Sequence, residues 1–121
     1  MKFSSEEIQL AHELKEAGLS WEPQPGHYVW DRDSLIEHDS PFHGRVFFIL
    51  ELKHFLRRAE NMEHLQSSLV WLPTWQQIRD LLLQCGRSHE EMQARLIESG
   101  AFLQGTERLE LYRLLRESIG G

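Results

Sequence analysis

Arg45-Val46-Phe47-Phe48-Ile49-Leu50-Glu51-Leu52-Lys53-His54-Phe55-Leu56-Arg57-Arg58-Ala59 changes its hydrophobic period at Glu51. Before that point the run from Val46 to Leu50 is continuously apolar and rich in aromatic and β-branched residues. This is the pattern of a strand buried on both faces. After it, Leu52, Phe55, Leu56 and Ala59 share one helical face, with Lys53, Arg57 and Arg58 on the other. A strand followed by a helix, in a chain that elsewhere reads mostly as helix, makes the fold α+β.

Working back from Arg45, the span 38–44 is a loop by composition, and Leu35 to Glu37 reads as a short strand. Asp31-Arg32-Asp33-Ser34 reads as a turn. His27 to Asp31 is aromatic and β-branched, a further strand. Pro23 and Pro25 impose an extended connection in front of it. The first segment is a helix, capped by Ser4 or Ser5 and carrying Glu6 and Glu7 at the positive end of its dipole. Ile8, Leu10, Ala11, Leu14 and Ala17 form its apolar stripe. Gly18 stands where a left-handed cap belongs.

Working forward, Asn61 to Leu69 is a short helix or a loop, and Val70 to Pro73 an extended lead-in. Thr74 with Gln77 forms a capping box, and Trp75, Ile78, Leu81, Leu82 and Cys85 follow at helical spacing. Gly86 ends that helix. Ser88 with Glu91 opens another, with Met92, Leu96 and Ile97 apolar, ending at Gly100. Thr106 caps the last, whose broad apolar face holds Leu109, Leu111, Tyr112, Leu114 and Leu115, and Gly120 ends it. The expected architecture is one globular domain over residues 1–121. It has an N-terminal helix, a small antiparallel sheet of two or three strands, and a C-terminal run of three or four helices. The expected core includes Trp30, Phe47, Ile49, Trp71, Ile78, Leu82, Leu111 and Leu115.

Composition narrows the function classes. The 121 residues carry 13 Lys/Arg against 19 Asp/Glu, a net charge of −6. All of that excess falls in residues 1–44, since the remainder sums to zero. An acidic chain opposes general nucleic-acid binding, which needs a basic face. The segment around Cys85-Gly86-Arg87 has the outline of a helix-turn-helix. Its second helix would present Glu90, Glu91 and Glu98 to phosphates, with Arg95 the one strong cation, so a plain helical hairpin is expected. No run is long and apolar enough to span a bilayer, and no signal region opens the sequence. With one cysteine and no internal disulfide, a cytoplasmic location is expected, with neither nucleic acid nor membrane as partner.

Candidate chemistry is sparse. Asp31 and Asp33 after a strand have the look of a phosphoaspartyl pair. That chemistry needs a doubly wound sheet, for which the chain lacks alternating βα units. A calcium loop fails because Leu35 stands where an oxygen ligand is needed. The seven histidines form no H-x-x-x-H pattern;. The best metal-like cluster, His38, Asp39 and His43, reads as a polar loop, so no metal and no cofactor are expected. Cys85, on an apolar helical face near a C-terminus, reads as a buried structural thiol. Lys53, His54, Arg57 and Arg58 read as a solvated basic face, neutralised by the acidic first third.

Two tryptophan–proline stretches remain, Trp21 to Trp30 and Trp71 to Trp75, which hold all four tryptophans. Their prolines stiffen them, and the apolar rings favour mutual contact over exposure to water. The two stretches are therefore expected to meet, with His27 or Tyr28 at the rim. Any binding site is expected there, from Trp21, His27, Tyr28, Trp30, Asp31, Trp71 and Trp75. The leading reading is a non-enzymatic binding or accessory domain whose partner is another protein or a small ligand. The alternative is a ligand-binding protein or small enzyme in which His27, Tyr28, Asp31 and Arg45 supply polar groups to a cleft. Gly18-Leu19-x-Trp21-x-Pro23-x-x-Gly26-x-Tyr28 and Trp71-Leu72-Pro73-Thr74-x-x-Gln77-Ile78 resemble segments of small uncharacterised bacterial and prophage proteins. Those carry GLxWxPxxG and WLPTxxQ patterns, usually with aspartate where His27 stands. The resemblance implies a bacterial or phage origin and no particular activity.

Overall fold

The computed structural model describes residues 2–36, 40 and 44–119. In chain order the elements are α1 (Ser5–Glu16), β1 (Tyr28–Asp31), β2 (Val46–Phe48), α2 (Leu52–Leu56), α3 (Met62–Ser68) and β3 (Leu69–Leu72). Then come α4 (Trp75–Gln84), α5 (His89–Glu98), α6 (Ala101–Gln104) and α7 (Glu107–Ile119). The strands form one antiparallel sheet in the order β2-β1-β3. The fold is α+β as the sequence predicts, but the third strand is not the predicted one.

Leu35 and Ile36 do not join the sheet. Their backbone N–H groups each donate to the Asp31 carboxylate, at 2.8 Å and 2.8 Å. An amide held this way cannot serve a ladder. Glu37 lies outside the described residues, as do His38, Asp39 and His43 of the metal-like cluster and the helix-ending Gly120. The third strand is instead Leu69–Leu72, read from sequence only as an extended lead-in. It pairs with β1 in the register Tyr28↔Leu72, Val29↔Trp71, Trp30↔Val70.

Strand alternation sends side chains to two cores. Tyr28, Trp30, Val46, Val70 and Leu72 meet α1, α4, α5 and α7 through Leu14, Ile78, Leu82, Leu96, Leu111 and Leu115. Val29, Phe47, Ile49 and Leu69 meet the smaller layer of α2 and α3, with Leu65 at its centre. Six of the eight predicted core residues are buried, and Trp30 and Trp71 are half-buried. An indole on a sheet this narrow reaches its margin, which is why tryptophan is seldom fully enclosed.

Local chemistry fixes the helix ends. Ser4, Thr74 and Ser88 each close a reciprocal capping box, with Glu7, Gln77 and Glu91 respectively. Gly18, at φ +98°, ends α1 in a Schellman motif: its own N–H reaches Lys15 O and that of Leu19 reaches Leu14 O;. Thr74→Ala is expected to cost about 1 kcal/mol, because it removes the hydroxyl acceptor for the Gln77 amide, while the backbone N–H of residue 74 can still donate to the Gln77 side chain;. A urea midpoint equal to that of the native chain would reject the cap.

Three sequence expectations change. Cys85 is exposed rather than buried. The ends of α1, α4 and α7 converge there without filling the space, so Cys85 borders an open cleft of about 420 Å³ with Gly18 and Ile119. Ile97, on the expected apolar face of α5, is 60% exposed, beside Phe102 and Leu103 of the unforeseen α6, 55% and 96% exposed. The acidic first third is neutralised by α7 and not by α2. Glu6 pairs with Arg113 at 2.9 Å, Glu13 with Arg116 at 3.8 Å, and Glu7 with Arg108. Lys53 and His54 pair with their own Glu51.

Candidate functional site

The two tryptophan-bearing stretches meet. β1 and β3 are neighbours, so the backbone that carries His27 runs beside the backbone that carries Trp71. His27 and Trp71 point to the same side of the sheet and stack, with ring centroids 4.9 Å apart and planes 23° from parallel. Trp21 completes the row from the connection before β1. Its ring lies 6.5 Å from that of His27 at 32°, and its Nε1 donates to His27 Nδ1 at 3.0 Å. The connection is itself anchored, because Gln66 Nε2 of α3 donates to Trp21 O at 2.8 Å.

These three rings form one wall of a groove of about 670 Å³. The opposite wall is α4, through Gln77, Asp80, Leu81 and Gln84. The spacing of these four is helical, on the side away from buried Ile78 and Leu82;. Glu22 and Gln24 close the rim from the connection. Gln77 serves twice. Its Oε1 accepts from the Thr74 N–H in the capping box, and its Nε2 reaches Gly26 O at 3.5 Å across the groove. The helix cap therefore also fixes the distance between the two walls. The Trp71 indole N–H is buried and has no hydrogen-bond partner among the described residues. Such a donor is costly to leave unmade.

The other predicted site residues are elsewhere. Tyr28 and Trp30 alternate to the opposite face of the sheet. Tyr28 packs on Phe3 and Phe48, with centroids at 5.4 Å and 4.7 Å, and Trp30 meets His12 edge-on. Asp31 is buried and bound to the turn that follows it and to Arg45. Trp75 lies under the Arg79 guanidinium and lines a separate cleft with Ser4 and Thr106. Sequence reasoning thus found the meeting of the two stretches and missed Gln77, Asp80 and Gln84. Their spacing along α4 was available as a signal. The two-residue strand period could likewise have separated His27 from Tyr28.

No protein family, curated protein or solved structure matches this chain. The site is therefore read from its chemistry. No group of three or more His, Cys, Asp or Glu able to hold a metal ion occurs among the described residues. No helix among them is long and apolar enough to cross a membrane.

His27 gives the groove a measurable property. Its Nδ1 accepts from Trp21, which places the ring proton of the neutral imidazole on Nε2;. Burial lowers its pKa from 6.5. Glu22 and Asp80 are the titratable groups that share the groove with it. In the unfolded chain the imidazole protonates first as pH falls. The contribution of His27 to stability is therefore complete above pH 6.5 and is lost as pH drops from there through its lowered folded value;. The bond from Trp21 breaks over the same range, because protonated Nδ1 cannot accept. Tryptophan emission and melting temperature are expected to fall together there, and less so in His27→Gln. An identical profile in the variant would show that His27 is not the titrating group.

Proposed function

We propose that this protein is a non-enzymatic binding or accessory module and that the aromatic groove is its recognition surface. The observation that supports this most directly is the half-exposed Trp21–His27–Trp71 row facing a wall of amide and carboxylate side chains. Rigid aromatic faces bordered by adaptable polar groups are what a protein surface uses to hold a partner segment. The mouth is wide, and its walls stand on β1, β3 and α4, all tied into the cores. Little would have to be ordered on binding.

The enzyme reading has less support. Of His27, Tyr28, Asp31 and Arg45, only His27 lines the groove. Its acceptor nitrogen is already occupied by Trp21, so it is poorly placed to take a substrate proton;. The acidic balance and the engagement of Arg95 by Glu117 at 2.6 Å favour a partner other than nucleic acid. The resemblance of the two tryptophan segments to bacterial and prophage proteins supports a bacterial or phage origin, and with it a cytosolic setting.

A photo-crosslinking residue at Gln84, compared with one at exposed Gln93 on α5, tests the reading in producing cells. Discrete protein adducts are expected from position 84 and not from 93. Adducts of equal yield from both positions would refute the groove as the binding face.

A further inference from the structure

We propose that the groove receives an arginine side chain from a basic segment of a partner protein. This rests on the groove being the binding face and adds the chemistry of what enters it. The argument begins with charge. Glu22 at the rim and Asp80 on the α4 wall both line the groove, and among the described residues no lysine or arginine does. Most of the acidic residues of α1 are taken up by α7: Glu6, Glu7 and Glu13 all have arginine partners. Among the described residues, Glu22 and Asp80 have none. Asp80 is bonded to neutral Gln76 Nε2 at 3.1 Å, and both carboxylates are exposed. Two exposed carboxylates without an arginine partner thus stand beside the aromatic rings, with no fixed cation on the groove lining to offset them.

The rings add to this in the same sense. The ring faces that the His27–Trp71 stack leaves uncovered attract a cation, and the attraction grows as water is excluded from the groove;. The burial that keeps His27 neutral removes the one positive charge the wall itself could carry. Among biological cations, a guanidinium fits best. It is planar and weakly hydrated, it lies against ring planes tilted by only 23° and 32°, and its forked N–H groups match carboxylates;. An ammonium holds its water more tightly and has no plane to stack. The neighbouring Lys15 keeps its ammonium outside the groove. It lines a different cavity, on the other side of Trp21 and Trp71, and its ammonium is bonded to three backbone carbonyls.

The probe is a short Arg-Gly peptide titrated into the full chain by calorimetry, with its citrulline twin as the uncharged isostere. Saturable binding is expected for the arginine peptide, weakening as salt is added. At least ~10-fold weaker binding is expected for the citrulline twin. Glu22→Gln with Asp80→Asn should weaken the arginine peptide about tenfold, two partly exposed pairs each contributing a few-fold. These are surface positions, so the fold is retained. Trp71→Leu should weaken it too. Should that variant fail to fold, Gln84→Arg places a competing cation in the groove from an exposed position and is expected to abolish binding.

Equal affinity for the arginine and citrulline peptides overturns the proposal, as does spermidine binding as tightly as the peptide. Loss in Trp71→Leu with full affinity in the double carboxylate variant keeps the groove and overturns the arginine. Full affinity in Trp71→Leu, the double variant and Gln84→Arg removes the groove itself.

Discussion

Asp31→Ala is expected to lower stability by about 3–5 kcal/mol, a large share of what a domain of this size has. The Asp31 side chain is wholly inaccessible to solvent. One carboxylate oxygen accepts the Leu35 amide and the other the Ile36 amide, both at 2.8 Å, and the second also accepts the Arg45 guanidinium at 2.5 Å. Removing it leaves two amides without these acceptors and takes a buried carboxylate from the Arg45 guanidinium, and a single lost hydrogen bond would account for much less;. The backbone on either side depends on it as well. Ser34 and Arg45 both adopt positive φ, at +54° and +64°, which non-glycine residues hold only where the surroundings demand it;. Arg45 also donates to Ile36 O and covers the Phe47 ring, so the loss would spread into β2. Asp31→Asn keeps the shape and one acceptor oxygen and should fall between the two. Urea unfolding with an unchanged slope measures the effect. An Asp31→Ala midpoint within about 1 kcal/mol of the native chain would show that the turn holds without its carboxylate.

Legibility in the sequence followed the range of the chemistry. Two of the three capping boxes, Thr74 with Gln77 and Ser88 with Glu91, were visible because each joins residues three apart; at the first helix Ser4 and Ser5 both offered a cap, and Glu7 was legible only as a charge at the dipole. The buried stripes of α4 and α7 were visible because helical period is local. β3 was not. Val70-Trp71-Leu72 before a proline has the same composition whether it is a linker or a strand, and only a partner some forty residues earlier makes it a strand. Leu35-Ile36 is the converse, two apolar residues whose amides were taken by a side chain four and five residues back. Cys85 shows a third limit: a stripe gives the direction a helix faces and not where the core beneath it ends.

The site divides along the same line. That the two tryptophan stretches meet followed from their shared need to leave water. Which side chains face the meeting point followed from strand parity. This put His27 with Trp71 and sent Tyr28 and Trp30 to the other core. Asp31 was singled out as a polar group near aromatic residues, and it is polar for a structural purpose. The α4 wall was hidden because Asp80 and Gln84 are polar residues on the side of the helix away from Ile78 and Leu82, and Gln77 was already accounted for by its cap.

Lys15→Met should cost about 2–3 kcal/mol, although the residue reads in sequence as an ordinary surface lysine near a helix end. Its Nζ donates to Gln66 O, Ser67 O and Leu69 O at 2.7, 2.8 and 2.7 Å. The ammonium has three protons, and all three are used. These carbonyls lie where α3 ends and β3 begins. The Leu69 N–H already turns back to Leu65 O, so the Leu69 backbone faces away from β1. Leu69 O therefore points outward from the free edge of the sheet, and the charge of Lys15 guards it. Methionine retains the apolar stem against Trp21 and Leu19 and removes only the head group;. The measured loss then reports the three charge-assisted bonds, reduced because part of the cluster can rehydrate. Lys15→Arg is not expected to restore it. A planar fork cannot direct three donors at three carbonyls gathered around one point. Since Trp21 and Trp71 share the Lys15 cavity, the methionine variant should also shift tryptophan emission. Native-like stability in Lys15→Met, or full recovery in Lys15→Arg, would show that the cluster is incidental to the fold.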